Sequence, residues 1–409
     1  MELVERHIIS YNHQFYKEAS DLCWRGKNLY NYSNYLVRQS FIKSKKYLDN
    51  CQIYHLLKQH ESYKCLPAKV SNQVLISLHK NWKSFFQAIQ EWSKHPEKFL
   101  GRPKLPQYKD KQKGRYFVVY EKGAISKRAL KLGLVKLSGT NIEFPTKIDV
   151  KNLLQVRIIP KCGQYVIEVV YKAEKLLTHL DTSLVASIDI GIDNLAALTS
   201  NQLGFKPVLV NGKPLKSINH YYNKRKALGQ SCLKSSRQIS RKIEELTRKR
   251  NNRVDNYLHC CSRFIINKLV EFGIGTLVIG KNDNWKQSCN LGKINNQNFT
   301  NIPHARFIDM LEYKAELVGI TVLIHEESYT SVASFLDNDP IPVYQANNKH
   351  TIKFAGVRTK KWYRSASGTV HADVNGSLNI MRKVVPAAFS LGISGVAVHP
   401  YRVTPVKVA

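Results

Sequence analysis

Apolar spacing divides the chain into stretches of different character. Residues 1–10 read as a short strand and residues 14–96 as mostly helical. Val74, Leu78, Trp82, Phe85, Ile89 and Trp92 follow at intervals of four and three, the pattern of one buried helix face. At that spacing Trp82 and Trp92 read as core packing before base stacking. At Pro96 the pattern breaks into FLGRPKLPQYKDKQKGR, an extended, solvent-facing strap whose basic run is Lys109, Lys111, Lys113 and Arg115. Such a run serves either as a solubilising loop or as a phosphate contact. Short β-type segments (YFVVY, LGLVKL, NIEF, LLQVRIIP, QYVIEVVY) fill 116–171 and predict a small antiparallel barrel or sheet.

The second half predicts an ordered alternation. SLVASIDIG, LAALTS and PVLV are three apolar strands joined by short turns, so they pair antiparallel. A long basic helical region runs from about Leu215 to Phe272, with Ile243, Leu246, Val254, Tyr257, Leu258, Cys261, Phe264, Ile265 and Leu269 at helical spacing. TLVIG, a helix over Pro303–Val318, the strand TVLIH, a polar loop and a last helix from near Asp373 complete the order β-β-β-α-β-α-β-α. Strands reached through helices run parallel to the first. This is the order of a ribonuclease H-like mixed sheet.

Charge narrows the partners. Of 409 residues, 63 are Lys or Arg and 30 Asp or Glu, a net charge of +33. Such an excess calls for a polyanion. The basic residues are spread along the chain, which points to wrapped nucleic acid over a membrane surface. With 43% hydrophobic residues the chain is neither disordered nor membrane-integral. No apolar leader opens it, the stretch Val384–Val398 is broken by Pro386, Gly392 and Gly395, and eight scattered cysteines form no CxxC pair. The expectation is a cytosolic protein with no membrane partner.

The acids stand out against this field. Asp189 interrupts an apolar strand, where an ionised carboxylate needs a cation, either a metal or a neighbouring Arg or Lys. Asp193, two residues on at a turn, reads as structural. Asp373 in HADVNG precedes the periodicity of Leu378, Ile380 and Met381; alone it is an ordinary N-cap. In a ribonuclease H-like sheet, however, the centre of the first strand and the start of the last helix converge. Two Mg²⁺ ions about 4 Å apart could sit there, with Mn²⁺ as a substitute, and a further carboxylate is then needed. The fourth strand ends at Gly280-Lys281-Asn282 without one. The next strand ends at Glu326-Glu327, whose side chains point to opposite faces, so one of the two completes the set; the reading leans to Glu326.

These residues resemble the TnpB family, transposon-encoded RNA-guided DNA endonucleases related to the type V CRISPR effectors. Ile188-Asp189-Ile190-Gly191-Ile192-Asp193-Asn194-Leu195 is similar to the family's first RuvC motif and Ala372-Asp373-Val374-Asn375-Gly376 to its third. Arg115-Tyr116-Phe117, GRPKLPQYK and Lys249-Arg250-Asn251-Asn252-Arg253 are similar to further signatures. The resemblance implies a multidomain α+β chain: a β-barrel wedge domain (1–13 and 97–180), a helical recognition domain (14–96) inserted in it, and a RuvC nuclease domain (181–384), then a C-terminal tail (385–409). Within the nuclease domain, 216–272 would be a basic lid and 328–372 a loop in place of the family's zinc finger. It implies a guide RNA and double-stranded DNA as partners, Mg²⁺ at Asp189, Asp373 and Glu326 or Glu327, and nucleic-acid contacts at Lys109, Lys111, Lys113, Arg115, Lys249, Arg250 and Arg253. The oligomeric state is not readable from the sequence, with a lean to a monomer, and the expected location is the prokaryotic cytosol or nucleoid.

Two departures qualify it. Most relatives carry an acid at the place of Gly280, and a subgroup with Glu-Glu-Ser-Tyr-Thr-Ser sets its Glu on the following strand. Residues 328–372 hold no cysteine, so no zinc is expected. Two rival readings remain: a nuclease-dead RNA-guided DNA-binding protein, motivated by Gly280, and a DDE-type transposase, which needs a Glu on the last helix where none follows Asp373.

Overall fold

The computed structural model describes residues 1–176, 179–233, 239–282, 292–343, 353–389 and 398–406. They form two compact units, Met1–Ala173 and Glu174–Ala409.

The first unit opens with β1 (Glu2–Ile9) and four helices, α1 (Tyr16–Ser44), α2 (Asn50–Leu57), α3 (Glu61–Lys64) and α4 (Ala68–Lys94). Then come β2 (Val118–Glu121), α5 (Lys127–Lys131), β3 (Leu134–Lys136), β4 (Glu143–Pro145), β5 (Leu153–Lys161) and β6 (Gln164–Lys172). The strands pair as an open sheet, β1-β6-β5-β2, beside a β3-β4 hairpin; barrel closure is not among the described pairings. Cys162 and Gly163 turn β5 into β6 with φ of 47° and 73°, a left-handed turn that suits the strands' twist. One core joins sheet and helices, so segment 14–96 packs within the unit. Trp82 is fully buried there and donates Nε1 to Asn34 Oδ1 at 3.0 Å, whereas Trp92 is only partly covered.

The second unit contains β7 (Asp181–Asp189), β8 (Asn194–Ser200), β9 (Val208–Asn211), α6 (Lys213–Ser231), α7 (Arg241–Glu271) and β10 (Ile274–Gly280). It continues with α8 (Lys293–Asn301), α9 (His304–Leu317), β11 (Thr321–His325), β12 (Gly356–Thr359), β13 (Trp362–Ser365), β14 (Gly368–His371), α10 (Ala372–Val384) and β15 (Tyr401–Val403). The main sheet runs β11-β10-β7-β8-β9-β15. β7, β8 and β9 are antiparallel neighbours, and β10 and β11 add parallel to β7, as the sequence order requires of a ribonuclease H-like sheet. Alternation along β7 sends Ala186 and Ile188 toward the core shared with α7 and α9, and Val185 and Ser187 toward α10.

Two expectations change here. The C-terminal tail supplies a sixth strand, since β15 pairs parallel with β9. The segment 328–372 is not simply a loop: β12, β13 and β14 form a small antiparallel sheet. Carboxylates and hydroxyls tie it down. Asp339 Oδ2 accepts from the Ser334 and Ala355 amides at 2.7 and 2.9 Å, and Asp337 Oδ1 accepts from the Ser367 hydroxyl at 2.6 Å.

One buried cation in this unit is costly. Lys314 on α9 is 3% exposed, and its Nζ donates to His259 O (2.9 Å) and Ser262 Oγ (2.6 Å) instead of to a carboxylate. Burial, then Arg263, pulls its pKa down to about 8. The unfolded chain therefore holds more protons than the folded one from about pH 8 to 10.5, and this contribution to stability rises with pH across that window. Lys314→Met is expected to raise stability at pH 7 by about 2 kcal/mol. Denaturant titrations should show the gap from wild type closing toward pH 10; a constant gap would show that the charge is not its source.

Candidate active site

The site is assembled at the ends of β7, β10 and β11 and the start of α10. Asp189 is the last residue of β7 and, by alternation from Val185 and Ser187, faces α10. The first turns of α10 are locked to the sheet by a buried hydroxyl cluster. Ser187 Oγ donates to Ser377 O (2.6 Å), and Thr199 Oγ1 meets both Ser187 Oγ and Ser377 Oγ at 2.9 Å. This brings Gly376 so close that a Cβ there would lie 2.7 Å from Asp189 Oδ2.

His371, not Asp373, is the N-cap of α10: its Nδ1 accepts from the Asp373 amide. That frees the Asp373 carboxylate, which accepts from Asn194 Nδ2 at 2.8 Å and Arg358 Nη2 at 2.9 Å. Asn375 and Asn379, one turn apart on α10, grip the chain after Glu327. Asn375 Oδ1 accepts from the Phe335 amide, and both side-chain amides donate to Ala333 O at 2.7 Å.

The pair Glu326-Glu327 divides as strand alternation demands. The sequence leans to Glu326, but the geometry gives the two acids different surroundings. Glu326 turns to Lys383, whose Nζ lies 2.5 Å from its Oε2, and its Oε1 accepts from the Ser328 amide. Burial raises Glu326's pKa, but Lys383 and Ser328 outweigh it and hold the carboxyl below its ordinary value. Glu327 instead faces a cleft of about 490 Å³ that Asp189 and Asp373 also line. It lies over Gly280: a Cβ there would come 2.5 Å from Glu327 Oε2 and 3.1 Å from its Cβ. The missing acid of β10 and the Glu after β11 thus share one space.

Electrostatics bear on what the cleft can hold. Burial, then Asp373 and Glu327, pushes Asp189 well above the carboxylate range. Burial, then Glu326, pushes Glu327 to about 7, and its Oε2 is buried without a hydrogen-bond partner. Oxygen donors crowded in this way suit hard divalent cations. As they stand, no three His, Cys, Asp or Glu side chains among the described residues group closely enough to share one ion. Arg358 engages one oxygen of Asp373 and provides the counter-charge.

The other sequence candidates fall into two sets. Asp193 pairs with Lys216 at 2.7 Å, and that contact lowers its pKa. Lys111, Lys113, Lys249 and Arg253 are exposed, although Lys249 also pairs with Glu245. Three others are tied inward. Lys109 lies over the Tyr30 and Tyr116 rings, Arg115 reaches Ser20, and Arg250 braces Asn219 and Asn301 O. Lys249, Arg250 and Arg253 also line a groove of about 830 Å³ between α6 and α7. Sequence reasoning missed Arg358, Asn194 and the Asn375–Asn379 pair; two Asn four apart on an otherwise apolar helix face were the available signal.

An α+β chain with carboxylates gathered at the centre of a ribonuclease H-like sheet defines the class. Comparisons with known proteins bear on the family. A family model described as a probable transposase, OrfB_IS605, matches residues 168–286, and one for the Cas12f1-like TNB domain matches 304–380. A TnpB-like protein, ORF457 of Acidianus two-tailed virus, is 25% identical over 218 residues, covering 49% of this chain and 42% of its own length. The chain thus spans less than half of that relative. A Cas12f1 structure determined by cryo-EM with guide RNA and target DNA shares the fold: TM-score 0.52, 15% identity, 89% of this chain and 83% of the other covered. The mini-RNA-guided endonuclease Cas phi3 gives a TM-score of 0.46 at 10% identity, over 98% and 94% of the two chains. These matches support the chain as a TnpB family member. Among its described residues, no helix is long and apolar enough to cross a membrane.

Proposed function

We propose that the chain is an RNA-guided DNA endonuclease of a transposon, which cuts both strands of a duplex beside a short adjacent motif in a single RuvC site. The observation that carries this is the meeting of Asp189, Glu327 and Asp373 in one cleft, with Glu327 in the space that Gly280 leaves open. Asp189, Glu327 and Asp373 would hold Mg²⁺, which when bound supplies water activation and stabilises the leaving oxygen of a phosphodiester. The chain's own residues set the geometry. The hydroxyl cluster fixes α10 against β7, Asn194 and Arg358 orient Asp373, and Lys383 keeps Glu326 away from Glu327's place. Base pairing with a guide would select the target, and the basic surface would hold backbones.

Glu327, in the space beside Gly280, supports this reading over the nuclease-dead one, whose motive was the acid absent from β10. The test is cleavage of a target plasmid by protein purified with its own RNA. Wild type should linearise the plasmid with Mg²⁺ or Mn²⁺, and Asp189→Ala should keep its RNA but not cut. RNA-dependent binding without cleavage by wild type would favour the nuclease-dead alternative, and an Asp189→Ala protein that cuts normally would place the site elsewhere.

A further inference from the structure

Glu327 stands beyond the end of its strand. The ladder between β11 and β10 stops at His325 and Gly280, with one further bond from the Lys281 amide to His325 O at 2.8 Å. Past that point the sheet no longer fixes the direction in which a side chain leaves the backbone. Side-chain grips take over. Asn282, two residues past Gly280, accepts from the Glu327 amide on its Oδ1 at 3.1 Å. Lys383, in the last turn of α10, donates to Glu326 Oε2 at 2.5 Å and to Ser328 O at 3.0 Å, so one ammonium holds both neighbours of Glu327. Thr330 Oγ1 donates to Glu327 O at 2.7 Å, and Asn379 Nδ2 holds Thr330 O at 3.0 Å.

The backbone inside this turn is strained. Tyr329 has a φ of 68°, in the left-handed region that a bulky side chain rarely adopts. Such a conformation persists only where the surroundings impose it, and it gathers at functional sites. The ion pair points the same way. Lys383 is 6% exposed, and a buried ion pair adds little stability over an apolar pair of similar size. The geometry that it fixes explains it better. The run Glu-Glu-Ser-Tyr-Thr-Ser is thus a clasp: 327 faces the cleft, and 326, 328 and 330 hold it there.

We propose that Lys383 and Asn282 are positioning residues for Glu327: they clamp the turn after β11 so that its carboxylate faces the cleft of Asp189 and Asp373, and the divalent-cation affinity of that cleft depends on them. This rests on the proposed function in taking Glu327 as a metal-holding acid. It has a consequence of unusual sign. As a bare charge Lys383 repels a metal ion, and its removal would tighten binding. As a clamp it favours the metal, and its removal weakens binding.

The test titrates Mn²⁺ into the full-length chain by calorimetry, with Asp189→Ala as the baseline for binding outside the cleft. Lys383→Met and Asn282→Ala should each weaken Mn²⁺ binding about ten-fold, in the range of residues that orient a metal ligand. Lys383→Arg, which keeps the charge and the donors, should retain most of the affinity. In a Glu327→Gln background Lys383→Met should take nothing further, because both act through one group. Metal-free melting curves should stay close to wild type, since Glu326 is 34% exposed and rehydrates when the lysine is lost. Should Lys383→Met fail to fold, Asn282→Ala, on a different element, decides alone. Tighter Mn²⁺ binding by Lys383→Met overturns the proposal, as does wild-type affinity in Lys383→Met or Asn282→Ala. An undiminished loss from Lys383→Met in the Glu327→Gln background also overturns it. A wild-type chain that binds no more Mn²⁺ than Asp189→Ala overturns the metal site of the proposed function, and the clamp with it.

Discussion

Glu327→Gln is expected to reduce target cleavage at least about 10³-fold, beyond the ~10–100-fold typical of residues that only support a metal ligand. Glu326→Gln should stay within that smaller range. The two residues are neighbours with the same side chain, so the comparison isolates geometry. Glu327 has a buried, unpartnered oxygen toward the cleft of Asp189 and Asp373, whereas Glu326 spends its oxygens on Lys383 and the Ser328 amide. Gln at 327 keeps the volume and removes the charge. Gln at 326 loses an ion pair whose lysine is only 6% exposed, so a loss of stability is expected there. Calorimetric Mn²⁺ titration provides a readout independent of turnover: binding should weaken in Glu327→Gln and persist in Glu326→Gln. Equal effects of the two substitutions on cleavage and on Mn²⁺ binding would refute the assignment.

How much of this was legible beforehand depended on the range of the deciding contacts. The sheet order followed from apolar runs and connection lengths, because strand pairing in a mixed sheet is constrained by how strands are joined. Asp189 was legible because a carboxylate inside VASIDIG conflicts with its surroundings, and Asp373 because it opens a helix that must return to the first strand. Alternation showed that only one of Glu326 and Glu327 could face the cleft. It could not say which, because that depends on Lys383, 57 positions away in sequence. β12, β13 and β14 were illegible for a related reason. They are four-residue strands of mixed polarity, held by Asp339, Asp337 and hydroxyls scattered over thirty positions. β15 has three residues and no pattern of its own; its parallel pairing with Val208–Val210 makes it a strand. Arg358 could not be singled out among 63 basic residues.

Gly280→Ala should lower cleavage roughly 100-fold while costing only about 1 kcal/mol of stability. The new Cβ would fall 2.5 Å from Glu327 Oε2 and 2.5 Å from Ile380 Cδ1. Both are the far ends of side chains that can rotate, so the fold survives, but the carboxylate that yields is the one assigned to the proposed site. The expectation is that an acid at 280 and an acid at 327 compete for the same space. The double variant Gly280→Asp/Glu327→Ala tests that competition directly. Removing the Glu327 side chain opens the space that an Asp at the end of β10 then enters from the neighbouring strand, so cleavage should recover at least about ten-fold over Glu327→Ala, a coupling within the range of contacting residues. Gly280→Asp alone should be no better than Gly280→Ala, since two carboxylates would then compete for one position beside Asp189. If Gly280→Ala cuts like wild type, or the double variant is no better than Glu327→Ala, the two positions act independently and Gly280 is open for another reason.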